Sequence, residues 1–219
     1  KLITEGRSLA AKALEVAPDD VSYTDGNFSI IGTDRKFGLF DVAARQPGGI
    51  LSVSATESTG GASWPNGAQV CEVEVELETG AVVVVRHTSV DDIGRIINRM
   101  IVTGQIHGGI AQGVGQTLME QAIYDRQSGQ FLTGSFSDYA LPRANDVVIT
   151  ASEFDESIPC RTNLLGVKGV GEIGTIGAVP AVVNAVLDAL SGFGVQHLEM
   201  PLTNEKIWRL ISENVNSLI

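Results

Sequence analysis

The sequence predicts an α+β fold, a mixed or antiparallel sheet packed with several helices. Three observations carry this. "VSYTDGNFSI" sets two extended runs around Asp25-Gly26, a pair that favours a hairpin turn. "CEVEVELE" alternates apolar and acidic residues with the period of a half-buried strand, and Thr79-Gly80 then turns the chain into "AVVVVRHTSV". Several longer segments instead carry their apolar residues at helical spacing.

Taken in order, residues 2–16 read as a helix, with Leu2, Leu9, Ala13 and Val16 on one face and Pro18 just past the end. The hairpin of residues 21–30 follows, then a short helix over 39–44 and a strand in "ILSVSATES", residues 50–58. Residues 59–69, "TGGASWPNGAQ", read as a loop because Gly, Pro and Asn dominate it. In the strand after it, Cys71, Val73, Val75 and Leu77 share one face, and Glu72, Glu74, Glu76 and Glu78 share the solvated one. Those glutamates are therefore poor candidates for paired catalytic carboxylates. Residues 81–90 are apolar on both faces, as an interior strand would be.

"DDIGRIINRM" reads as a loop entering a helix over 102–124. That helix contains Gly104, Gly108, Gly109, Gly113 and Gly115, each costing about 1 kcal/mol against Ala. Close approach of another backbone or of a ligand is the usual compensation. Gly129 marks a turn, "DVVITASEF" reads as a strand, and residues 173–190 as a buried helix. The last helix starts after Thr203 as N-cap, with Ile207, Leu210 and Ile211 on its apolar face. The 219 residues are read as one unit, 1–219, with a subdivision near 60–68.

Bulk properties narrow the function. A formal net charge of −11 argues against nucleic acid and anionic lipid as partners. No apolar run approaches the ~20 residues of a membrane span. "KLITEGRSLAAKALEV" scatters its charges unlike a signal peptide, and position 1 is not Met, so the chain reads as a fragment or a processed product. Cys71 and Cys160 form no C-x-x-C pair, which leaves no zinc ribbon or iron–sulfur cluster to build from this chain alone. His87, His107 and His197 lack ligand spacing, so no metal ligand is expected among them.

The chemically informative stretch is "GVKGVGEIGTIGAVP", residues 166–180, which sets Glu172 among glycines and small apolar residues. Three readings stay open on these residues alone. Gly169-Val170-Gly171-Glu172-Ile173-Gly174 matches the G-x-G-x-x-G string of dinucleotide sites, which requires a flanking βαβ unit. Glu172 can instead begin a helix, gaining about 0.3–1 kcal/mol from the backbone dipole. Or it is a general base, its pKa set by desolvation against backbone N–H groups.

"GVKGVGEIGTIGAVPAVVNAV" and "GQIHGGIAQGVGQTLMEQ" resemble the C-terminal segment of the molybdenum hydroxylases, the xanthine dehydrogenase and aldehyde oxidase family. "DDIGRIINRM", "SFSDYALPRA" and "MPLTNEKIWRLI" fit as well. The resemblance implies the C-terminal half of a molybdenum-binding domain and a molybdopterin-type cofactor. It implies that Glu172 is the catalytic base acting on a metal-bound hydroxide while an aldehyde or N-heterocycle is hydroxylated with water-derived oxygen. Gln105 matches a pterin contact; Gly104, Lys168, Val170 and Gly171 match positions lining the same pocket. Iron–sulfur clusters and FAD are then expected on other domains or subunits. The expected partners are the upstream part of the molybdenum subunit and those electron-transfer subunits. The expected location is the cytoplasm, or the periplasm as in some relatives. Further pterin contacts lie upstream in the family, so this chain alone is expected to be incomplete and inactive. The alternatives are a nicotinamide-dinucleotide-binding dehydrogenase fragment and a non-catalytic assembly segment.

Overall fold

The computed structural model describes residues 1–149 and 151–218. The chain divides into two compact units, Lys1–Ser58 and Thr59–Ile219.

The first unit begins with α1, Leu2–Leu14, closed by Glu15 in the left-handed region. Its buried face is Gly6, Ala10, Ala11 and Leu14. That face is rotated from the expected one: Leu2 and Ala13 are exposed, whereas Leu9 and Val16 pack at the margin of the core. Gly6 is selected because a Cβ there would stand 3.1 Å from Cε2 of Phe28, the buried centre of this unit. The hairpin forms as expected from β1, Val21–Thr24, and β2, Asn27–Ile30. Asp25 and Gly26 at its tip have φ of 48° and 77°, a turn for which Gly carries no steric penalty. β3, Lys36–Gly38, adds a third antiparallel strand and leads into α2, Leu39–Ala44, whose Asp41 carboxylate accepts from the Gly38 N–H at 3.1 Å. Residues 50–58 form no strand, contrary to expectation. Leu51 alone satisfies their apolar pattern by packing on the Phe28 core, and no ladder follows.

The second unit is built on a mixed sheet of order β4-β5-β6. β4, Asn66–Val75, and β5, Val82–Asp92, are antiparallel; β6, Ala151–Phe154, runs parallel to β5. β4 begins inside the expected loop and ends at Val75, so Leu77 lies in the turn and is exposed. Cys71 packs against the core, and burial together with Glu72 pushes its thiol up to about 11. The strand expected in "DVVITASEF" is short, and its Thr150 lies outside the described residues.

β5 is the middle strand, yet only one of its faces is buried. The register shifts opposite Glu72/Val73, where Glu72 pairs Arg86 and Val73 pairs Val84. Val85 is therefore the extra residue of a bulge. The consequence is a change of face. Val84 is buried, Val85 and Arg86 are exposed, and His87, Ser89 and Asp91 turn inward.

A helix pair backs the buried face: one helix lies on the sheet and the other packs against that helix. α3, Arg99–Leu118, is capped by the Asn98 side chain, which accepts from the Ile101 N–H at 3.2 Å. It starts three residues before the expected helix and stops at Leu118, short of residue 124, where Met119 leaves helical geometry. α4, Ile173–Ala189, buries Gly174, Ala178, Val182 and Val186, spaced four apart on one stripe. The helices meet backbone to backbone. A Cβ on Gly109 would lie 2.9 Å from the Thr175 nitrogen, and one on Gly113 would lie 2.6 Å from the Ala178 Cβ. α5, Asn204–Leu218, closes the unit, with Thr203 accepting from the Ile207 N–H and Ile207 fully buried. Among the described residues no helix is long and apolar enough to cross a membrane.

This packing separates the α3 glycines into two kinds. Gly109→Val forces the helices apart and is expected to lower the unfolding free energy by about 2 kcal/mol or more. A Cβ on Gly104 would meet nothing within 4 Å, so Gly104→Ala is expected to raise it by roughly 0.5–1 kcal/mol. Urea denaturation of the two variants checks both signs.

Candidate active site

Residues 166–172 lead into α4, passing beside the residues that follow β5, and are tied down along the way. Lys168 N–H donates to Ile93 O at 2.9 Å, and Arg95 N–H donates to Gly166 O at 2.9 Å. The Asn163 amide brackets Val167, donating to its carbonyl and accepting from its N–H. Gly94, at φ 64°, lets the two segments touch; a Cβ there would run into Gly166 O. Lys168 Nζ forms an ion pair with Asp92 Oδ2 at 2.6 Å, with side-chain exposures of only 9% and 18%. The other Asp92 oxygen accepts from the Gly94 N–H at 3.0 Å. Lys168, expected in the pocket wall, thus spends its charge holding this segment to the sheet. Val170 packs on the apolar core, while Gly169 and Gly171 are exposed with nothing within 4 Å of a Cβ.

Glu172 is the N-cap position of α4 and its carbonyl accepts from the Ile176 N–H at 3.0 Å. Its side chain makes no capping bond and is exposed, so the helix-start reading holds for its backbone only. On α3, Gly104 and Gln105 are exposed too. The helix crossing brings these segments together. A Cβ on Gly174, two residues past Glu172, would lie 2.6 Å from the carbonyl of Ile106, the neighbour of Gln105. Thr175 Oγ1 adds a 3.0 Å bond to Gly109 O. Four glycines, 104, 108, 169 and 171, leave open backbone on these two segments. A cleft of about 250 Å³ lies against the first turns of α4, its lining including Trp64, Asn66, Asp91, Ile173 and Ile176; none of the four glycines lines it.

The dinucleotide context is missing. Between β6 and Gly169 the described residues make only an isolated bridge, Gly94 to Val167, and after α4 they form no strand. The string is there without the βαβ unit that gives it meaning.

Several polar residues escaped the sequence reading. His87, Ser89 and Asp91 are fully buried on one face of β5. Neither Asp91 carboxyl oxygen has a hydrogen-bond partner among the described residues, and burial raises its pKa. Burial also pushes the His87 pKa down. Gln69, placed by sequence in a loop, sits in β4 and reaches α4. No local signal marks the three β5 residues, because the bulge at Val85 decides which face they occupy; Gln69 shares the β4 face of Cys71, Val73 and Val75.

Comparison with known proteins bears on this arrangement. The profile of the molybdopterin cofactor-binding domain matches residues 1–148. The chain is 39% identical over 213 residues to the nicotine 6-hydroxylase large subunit of Paenarthrobacter nicotinovorans, covering 92% of this chain and 26% of that protein. It is 33% identical over 218 residues to the 6-hydroxypseudooxynicotine dehydrogenase complex subunit gamma of the same organism, covering 94% and 27%. Among solved structures, quinoline 2-oxidoreductase from Pseudomonas putida 86 superposes with a TM-score of 0.80 at 36% identity, over 97% of this chain and 28% of that one. A Cu,Mo-CO dehydrogenase superposes with a TM-score of 0.85 at 27% identity, over 98% and 28%. The chain therefore spans about a quarter of the length of these relatives, and it belongs to the molybdopterin cofactor-binding domain family.

Proposed function

We propose that this chain forms one wall of the active site of a molybdenum hydroxylase and supplies its base, Glu172. The reaction adds water-derived oxygen to an electron-poor carbon of an N-heterocycle or an aldehyde. The observation that carries this reading is the α3–α4 crossing, which sets the Gln105 and Glu172 segments beside open glycine backbone.

The residues fit such a cofactor. Gly104 and Gly108 lie in a helix, where each costs about 1 kcal/mol, and a Cβ on either would meet nothing within 4 Å. A flat ring system lying against that face gives them a purpose that packing within the chain does not. Gln105 offers both a donor and an acceptor to a pterin edge. Gly169 and Gly171 keep the facing loop free of side chains. When bound, the cofactor supplies the electron sink and activates the oxygen to be transferred.

The chain's own part is proton handling and positioning. A Glu172 carboxylate oxygen accepts the proton released as the oxygen becomes a nucleophile. The Asp92–Lys168 ion pair and the Val170 anchor fix the loop that carries it. Substrate and water together release two protons and two electrons. The electrons leave through iron–sulfur and flavin groups on other domains or subunits, in line with the subunit names of the relatives.

In the complete enzyme, Glu172→Gln is expected to cut kcat at least 100-fold, about the low end for loss of a general base, with molybdenum content unchanged. Turnover retained in that variant refutes the assignment and favours a non-catalytic assembly role. Gly104→Leu is expected to act oppositely, lowering molybdenum per subunit several-fold, roughly as a filled contact surface would. Metal analysis of the purified subunit reads this out, with thermal unfolding to show that the fold persists.

A further inference from the structure

Gln69 is the only side chain on β4 for which hydrogen bonds to α4 are seen among the described residues, and what it holds is the turn that follows Glu172. Its Nε2 donates to Ile173 O and to Gly174 O, at 3.2 Å each. Its Oε1 lies 2.9 Å from His87 Nε2. Those contacts fix the amide orientation, since the opposite one would set an oxygen against two carbonyl oxygens. They fix the histidine as well. An acceptor at 2.9 Å requires His87 Nε2 to carry a proton, which in the neutral ring leaves Nδ1 as a bare acceptor, buried and without a partner among the described residues. The helix makes room for this arm. A Cβ on Gly177 would lie 2.6 Å from Gln69 Cδ, so Gly177 admits Gln69 while Gly174, about one turn earlier, admits α3.

We propose that His87 and Gln69 form a buried positioning relay that fixes the first turn of α4, and through it the direction in which Glu172 is presented. The inference rests on the reading of Glu172 as the base. Neither residue touches the reacting atoms. His87 is fully buried and anchored in the middle strand, and Gln69 passes its constraint to the carbonyls one and two residues past Glu172. An exposed helix start frays. A start bonded from beneath by a core residue does not, and a base displaced by about 1 Å loses on the order of a hundredfold in rate. The depressed His87 pKa agrees with a neutral ring that spends its one N–H on Gln69.

The test uses the complete enzyme and Gln69→Met, which keeps length and volume but removes both amide functions. Hydrogen exchange in residues 173–178 is expected to quicken roughly tenfold, as loss of buried hydrogen bonds predicts, while residues 182–189 keep their protection. Turnover is expected to fall between roughly tenfold and a hundredfold in kcat, with KM and molybdenum content unchanged. Exchange at the wild-type rate overturns the relay whatever Glu172 does, and faster exchange with an unchanged kcat overturns its positioning role. If Glu172→Gln retains turnover, it is the base assignment that falls, and the exchange result still judges the relay. A further measurement needs no variant. Nitrogen-15 spectra of histidine-labelled enzyme between pH 6 and 8 are expected to show His87 as the neutral Nε2–H form, and an Nδ1–H or doubly protonated ring overturns the relay.

Discussion

The close crossing of α3 and α4 is the constraint on which the rest of the second unit depends. Gly109 and Gly174 let two helix backbones touch, and Thr175 Oγ1 bonds to Gly109 O across the contact. Any side chain at either glycine would push the helices apart and open the layer formed by Ile106, Ile110, Ala178 and Val182, all fully buried. The glycines cost about 1 kcal/mol each in helix propensity, which dispersion and burial across so short a separation can offset. The crossing lies one residue from Gln105 and two from Glu172. What sets the core therefore also sets the distance between the two segments assigned to function.

The sheet contributes in a different way. A single extra residue at Val85 reverses the facing of β5, so that three polar side chains enter a layer otherwise built from aliphatic ones. Burying a polar group without a partner costs roughly 1–3 kcal/mol, so such residues must be placed with care. His87 and Ser89 find partners in Gln69 and Ser152. Asp91 finds none among the described residues, and its carboxyl sits beside Gly67 with a raised pKa. Polar groups cluster at the end of the sheet where α4 begins, and the aliphatic core occupies the other end. This division lets one end be specified by hydrogen bonds while the other supplies the stability.

Much of this fold was legible in the residues. The Asp25-Gly26 hairpin, the 39–44 helix and the alternation through Cys71, Val73 and Val75 follow from local chemistry and appear as expected. The failures are also physical. Residues 50–58 have the pattern of a strand, but pairing is a tertiary property that no pattern contains. Residues 81–90 look buried on both faces, yet Val83, Val85 and Val90 are 57%, 42% and 48% exposed. The Glu172 motif could be found because its glycines are unusual in any setting. The roles of Asp92 and Gln69 could not, since each works through a partner 76 or about a hundred residues away.

The exposure of Glu172 and Gln105 completes the argument rather than opposing it. A carboxylate in open water gains nothing from preorganised surroundings, because solvent screens the fields that would tune it. On the proposed reading, the remaining length of the subunit and the cofactor must close over this surface before the base becomes effective. The surroundings agree with such a cover. Met100, Leu164, Leu165 and Ile176 are 79%, 80%, 61% and 68% exposed, and they sit on the elements that carry Gln105 and Glu172 or in the segment leading to them. Large exposed apolar side chains on these segments agree with a surface that the rest of the subunit covers. The chain supplies a rigid seat, held by the helix crossing, the Asp92–Lys168 pair and Gln69, and the fit of what closes over it then determines how dry the base becomes.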